Sequence, residues 1–162
     1  TGVCGIVSQI LMQSKSSSPR KNPIMKLKHT LQASLQDVFP YLADPDLFAS
    51  VHPVISKIET KGNGHYVVHE TLKLGPIPFS FTYPAIIHHD VEMGTVHMQA
   101  IVFKMTTMNM SFQFTKENDM TIIEENIDIK SKLPFNALTL NVVKSQHLEL
   151  FKNIARTLAI PS

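Results

Sequence analysis

From residue 26 onward, apolar side chains recur at two periods. Lys26 to Ala33 (KLKHTLQA) alternates, with Leu27, His29, Leu31 and Ala33 in one line, and alternation of this kind predicts a strand. Ser34 with Asp37 three residues on has the form of a capping box and opens a helix whose apolar side is Val38, Phe39, Tyr41 and Leu42. Pro40 lies inside that helix and removes a backbone donor, so the helix is short or kinked. Asp44-Pro45 breaks it and starts a second short helix through Phe48, which His52-Pro53 ends. Six further strand-like runs follow at 54–61, 65–74, 79–89, 95–103, 106–115 and 120–130, with Gly62-Asn63-Gly64, Gly75-Pro76-Ile77-Pro78, Glu92-Met93-Gly94 and the polar stretch 116–119 among the connections. Pro84 cannot donate to a ladder, so the run at 79–89 is expected to bulge or to lie at an edge there. The period then changes. Leu140, Val143, His147, Leu150, Phe151, Ile154 and Leu158 share one stripe at helical spacing, which predicts a long helix from Phe135 or Asn136 to Leu158.

This order gives an α+β domain: a curved antiparallel sheet of seven strands wrapped around a long C-terminal helix, with two short helices after the first strand. A sheet of that size with a single long helix to cover it curls around the helix and leaves a pocket between them. Shared parity on the strands and the shared helical stripe place Phe79, Phe81, Tyr83, Met98, Met108, Met110, Phe112, Val143, His147, Leu150 and Ile154 on the pocket lining.

Composition narrows the class. The chain has 162 residues, an apolar fraction of 43% and a charged fraction of 17%, which suits one globular domain. Its net charge of +2 is uneven: Lys15, Arg20 and Lys21 give the first 25 residues +3, leaving −1 for the rest. A near-neutral body argues against a nucleic-acid binder, which needs a basic face. The one cysteine, Cys4, can form neither an internal disulfide nor a cysteine zinc site, and a cytoplasmic setting is the simplest expectation. No apolar run has the length of a membrane-spanning helix, so stable membrane insertion is not expected. Residues 1–24 read as an N-terminal extension or a mis-called start, with 13–23 as a solvated linker whose apolar and basic parts stand in the wrong order for a signal peptide. Residues 25–160 read as a single domain.

Three polar residues stand on otherwise apolar faces. Glu70 shares parity with Tyr66, Val68, Leu72 and Leu74; Glu125 shares parity with Ile123, Ile127 and Ile129; His147 sits in the middle of the helical stripe. A buried carboxylate is costly unless paired or hydrogen-bonded. These three groups therefore either find neighbours in the interior or meet a ligand, as orienting groups or as acid and base. The remaining histidines do not gather. His88 and His89 are adjacent on a strand and point to opposite faces, while His65, His69 and His97 fall on the polar face. No metal spacing, phosphate loop or Ser/His/Asp order appears, and no cofactor is expected. Met98, Met105, Met108 and Met110 lie close together. Flexible thioethers of this kind suit a pocket that adapts to its ligand, and equally suit ordinary core filling.

The element order, together with Ser34 to Pro45 (SLQDVFPYLADP) as a first helix with its Asp-Pro break and Val51-His52-Pro53 as the lead into the second strand, resembles the helix-grip superfamily. That group, also called SRPBCC, includes START lipid-transfer domains, plant pollen allergens and polyketide cyclases. The resemblance covers about residues 25 to 158. It implies a cavity for a small apolar or amphipathic ligand, lipid-like or polyketide-like. It also admits a cyclase or dehydratase using Glu70, Glu125 or His147, and a protein-interaction or assembly module; a filled core would favour the last.

Overall fold

The computed structural model describes residues 24–132 and 136–159. The expectations for residues 1–23 lie outside the described residues. Strand β1 (Ile24–Leu31) is followed by three short helical turns, α1 (Leu35–Val38), α2 (Pro40–Ala43) and α3 (Pro45–Val51). Next come β2 (Ile55–Gly62), β3 (His65–Leu74), β4 (Ile77–Asp90), β5 (Thr95–Val102), β6 (Thr106–Glu117) and β7 (Met120–Ser131), and finally helix α4 (Asn136–Leu158). The strands form one antiparallel sheet in the order β1-β7-β6-β5-β4-β3-β2. This is the helix-grip arrangement.

The first of the two expected helices is divided. Pro40 supplies no amide, so the chain closes one turn before it and starts another at it. The Ser34 hydroxyl accepts from the Asp37 amide, and Asp44 caps α3 by accepting from the amides of Asp46 and Leu47. Pro84 has the edge character expected of it. β4 pairs with β3 over Ile77–Ile86 and with β5 only from Ala85 onward, so among the described residues Ile77–Pro84 has a ladder on one side alone.

Alternation sends one side chain of each pair inward. Val68, Tyr83, Ala85, Ile87, Val96, Met98, Ala100, Phe112, Phe114, Ile123, Ile127 and Ile129 are buried beneath α4, which covers them with Val143, His147, Leu150, Phe151 and Ile154. The Asn153 amide donates to the Val51 carbonyl at 2.9 Å and ties the second half of α4 to α3. The core is thickest here, under α1–α3, and thins toward the first half of α4. Two of the turns with positive φ bear on the site. Asn63-Gly64 closes β2–β3 (φ 52° and 75°), and Gly64 lies so close to the Ile87 carbonyl that a Cβ would come within 3.1 Å of it. The β5–β6 turn places Phe103 and Lys104 at φ 52° and 57°, where bulky residues are rare.

Candidate functional site

Where the core thins, a cavity of about 310 Å³ remains between the inner face of the sheet and α4. Its apolar wall comes from Val68 and Leu72 of β3, Phe81, Ala85 and Ile87 of β4, Met98 and Ala100 of β5, Met108 and Met110 of β6, and Val143 of α4. Phe103 and Val142 also line it and are exposed, so it opens between the β5–β6 turn and the first half of α4. Its polar groups are few: His52, Glu70, Tyr83, Thr106, Gln146 and His147 among them.

Of the residues that the sequence places on the lining, Glu70, Phe81, Tyr83, Met98, Met108, Met110, Val143 and His147 face the cavity. Five do not. Phe79 is 44% exposed, because the half-strand that carries it projects beyond the end of β5. Phe112, Leu150 and Ile154 are buried in the filled part of the core, since a strand face or helical stripe runs the length of its element while the cavity occupies one end. Glu125 is 1% exposed and stands behind His147. Met105, grouped with the other methionines in the sequence, is exposed in the β5–β6 turn.

Glu125 is the centre of a buried chain. His29 of β1 contacts Oε2 through Nε2 at 2.9 Å, and His147 of α4 contacts Oε1 through Nδ1. Burial alone would raise the Glu125 pKa, but the hydrogen bonds from His147 and His29 and their charge outweigh it and hold the carboxyl below its ordinary range. An ionised carboxylate can only accept, so both imidazoles carry their proton on the nitrogen facing it. His147 then keeps Nε2 for the cavity side. Its ring lies against Phe112 (interplanar angle 14°), and the His29 ring stacks on Phe151 with centroids 3.7 Å apart.

The opposite polar group is Glu70. The Tyr83 hydroxyl donates to its Oε2 at 2.8 Å. Burial raises the Glu70 pKa despite the hydrogen bonds of Tyr83 and Gln146 and the charge of His147. Burial and then the Glu70 charge raise that of Tyr83 as well. His52 completes the wall. Its Nδ1 accepts from the Ile55 amide at 3.2 Å, and burial together with the positive charge of His147 lowers its pKa to about 3. Its ring is therefore neutral, with its proton on Nε2.

His29, His52 and Gln146 were not picked out from the sequence as site residues. His29 carried a signal, its parity with Leu27 and Leu31. His52 carried none, because it follows a helix where no period applies. Among the described residues no group of histidine, cysteine or acidic side chains could hold a metal ion. A second, shallower depression lies on the outer face of the sheet, where His88 pairs across with His97. No helix among the described residues is long and apolar enough to cross a membrane.

No protein-family model matches the sequence, and no curated protein matches it. Solved structures do match the fold. A START superfamily protein from Mycobacterium smegmatis is similar with a TM-score of 0.68 at 12% identity, over 83% of this chain and 95% of that one. The Zhui aromatase/cyclase from a Streptomyces species gives 0.64 at 15% identity, over 83% and 92%. Norcoclaurine synthase from Thalictrum flavum gives 0.64 at 14% identity, over 85% and 86%. The chain thus has the helix-grip fold that the sequence resembles.

Proposed function

We propose that this protein binds one small amphipathic molecule in the cavity between the sheet and α4. The observation that carries the reading is the cavity itself: apolar on most of its surface, with its polar groups drawn from Glu70, Tyr83, His52, Gln146 and His147, the usual design of a small-ligand site. The charges select the head group. Glu125 holds a negative charge just behind His147, and the burial that already raises the Glu70 pKa disfavours a second anion on this wall. A hydroxyl or carbonyl oxygen suits this wall better than a carboxylate. The fold neighbours that carry ligand-handling names support the reading at the level of fold alone, and a cavity of this size weighs against a pure assembly module.

Mass spectrometry of the molecule that co-purifies with the chain, with titration of a neutral phenylnaphthylamine probe, tests the proposal. Ala100 lines the cavity and is buried, so Ala100→Leu fills space without touching the surface. It is expected to weaken the probe at least about tenfold, the cost of one or two displaced methylenes. Unchanged affinity in a folded variant would overturn the site.

One observation favours a second reading, acid–base catalysis of the cyclase or dehydratase kind. Glu125 orients His147 and leaves its Nε2 toward the cavity, with the Glu70 carboxyl, its pKa raised by burial, as an acid on the same wall. Under that reading Glu125→Gln abolishes turnover of the co-purified molecule while probe binding survives.

A further inference from the structure

The end of the molecule at which the cavity opens carries an exposed apolar surface that extends beyond the cavity mouth, which Phe103 and Val142 also line. Ile77, Phe79, Phe103, Met105 and Val142 are all exposed there, Ile77 at 68% and Phe103 at 51%. They come from three elements: the half of β4 that pairs with β3 but not with β5, the β5–β6 turn and the first half of α4. The Phe79 and Phe103 rings lie 6.3 Å apart, and both pack on Phe81, at 5.5 and 4.8 Å. The positive φ of Phe103 and Lys104 is a conformation that L side chains avoid. Here it holds an aromatic ring at the surface, where burial does not repay it.

Charge divides the molecule along the same axis. Residues 71–82, 99–108 and 129–148 contain Lys73, Lys104, Lys130, Lys132 and Lys144 and no Asp or Glu. At the opposite end of the sheet, α1 and the turns that join β4 to β5 and β6 to β7 carry Asp37, Asp90, Glu92, Glu117 and Asp119, with Lys116. One end is thus apolar and basic, the other acidic.

We propose that the open end docks the protein reversibly onto an anionic lipid bilayer. Ile77, Phe79 and Phe103 enter the interface, and the lysines meet the phosphate headgroups, as in other interfacial anchors. Lysine stems lie along apolar surface while their ammonium groups stay with the phosphates. The rings of Phe79, Phe81 and Phe103 pack into one apolar ridge with Lys73 and Lys104 close by in sequence, and an apolar ridge with a basic rim matches an anionic bilayer. Docking would set the cavity opening against the acyl region. Only this last step, the bilayer as source or destination of the ligand, rests on the binding function proposed above; the surface stands without it.

Sedimentation of the full chain with phosphatidylcholine vesicles, with and without phosphatidylglycerol, tests the docking. Binding is expected to vesicles containing phosphatidylglycerol, to weaken as salt rises, and to be slight on phosphatidylcholine alone. Ile77→Ser with Phe79→Ser, and separately Lys73→Glu with Lys104→Glu, should each weaken it at least about tenfold. Met93→Ser, at an equally exposed apolar side chain of the acidic end, should leave it unchanged. Absence of vesicle binding overturns the proposal, and if the same lysines then retain the chain on polyglutamate, the face belongs to an acidic protein. Equal loss in Met93→Ser, or insensitivity to Ile77→Ser with Phe79→Ser, overturns it too. Probe uptake measured without vesicles reports on the cavity separately, so the two ideas fail independently.

Discussion

His52 couples the site to pH through its burial. Its folded pKa, about 3, lies below the ordinary histidine value of 6.5, so the folded ring stays neutral while the unfolded chain takes up a proton. Stability is therefore fully present above pH 6.5 and is lost as pH falls toward 3. Between pH 7 and pH 5 the loss from this residue is about 2 kcal/mol. Denaturant midpoints should fall accordingly, and His52→Asn, which keeps an acceptor for the Ile55 amide, should flatten the dependence. Glu125, held low, adds a further loss only below its ordinary range. Glu70, held high, acts in the opposite direction, its contribution declining as pH rises from about 4.5 through its raised folded value. The chain through Glu125 is tested by a cycle. His29→Phe keeps the stack on Phe151 but leaves a buried carboxylate oxygen without its donor, a loss of about 3–5 kcal/mol. Adding Glu125→Leu removes the stranded charge, so the double variant should be more stable than His29→Phe, and the reverse order in urea melts would refute the pairing. Glu70, Glu125 and His147 were legible in the sequence because each interrupts an apolar face. Their partners were not: parity says that His29 points inward, but nothing in the sequence says that Glu125, 96 residues later, is what it meets.

Among the elements, the β5–β6 turn holds the clearest tension between sequence and backbone. A two-residue turn with both residues at positive φ asks for Asn-Gly, and this chain supplies Phe103-Lys104. Replacing the pair with Asn-Gly should raise stability by about 1–2 kcal/mol, read from thermal or urea unfolding, while removing the projecting ring. No gain in stability would mean that Phe103 repays its backbone cost by packing on Phe81. The element pattern itself was largely readable, with β3 and α4 expected at their observed bounds. What alternation could not supply was position along a strand. Phe79 and Tyr83 share a face of β4, yet one is exposed and the other buried, because β5 ends between them. Strand length relative to the neighbour decides that, and it is a property of two elements at once. Leu150 and Ile154 show the same on the helix: the stripe names the inward face, and the packing of α3 beneath its second half determines that this part is filled.

At the scale of the whole molecule, the sheet is held between edge strands of very different origin. β2 lies beside its sequence neighbour β3, whereas β1 has β7 as its sole ladder partner among the described residues, with Ile24 opposite Asp128 and Leu31 opposite Thr121. That pairing sets a timetable. A ribosome adds about 5–20 residues each second, so β1 leaves it several seconds before β7 exists. Through that interval Leu27, His29 and Leu31 have no ladder to join, and the Glu125 carboxylate that His29 will serve has not been made. The other pairings join sequence neighbours and involve short loops; this one closes a loop of about a hundred residues and carries the largest closure entropy of the sheet. The nascent chain must therefore keep its first strand unpaired until nearly all of the rest has been synthesised, and the buried His29–Glu125–His147 chain is completed only when strand β1, strand β7 and helix α4 have all arrived.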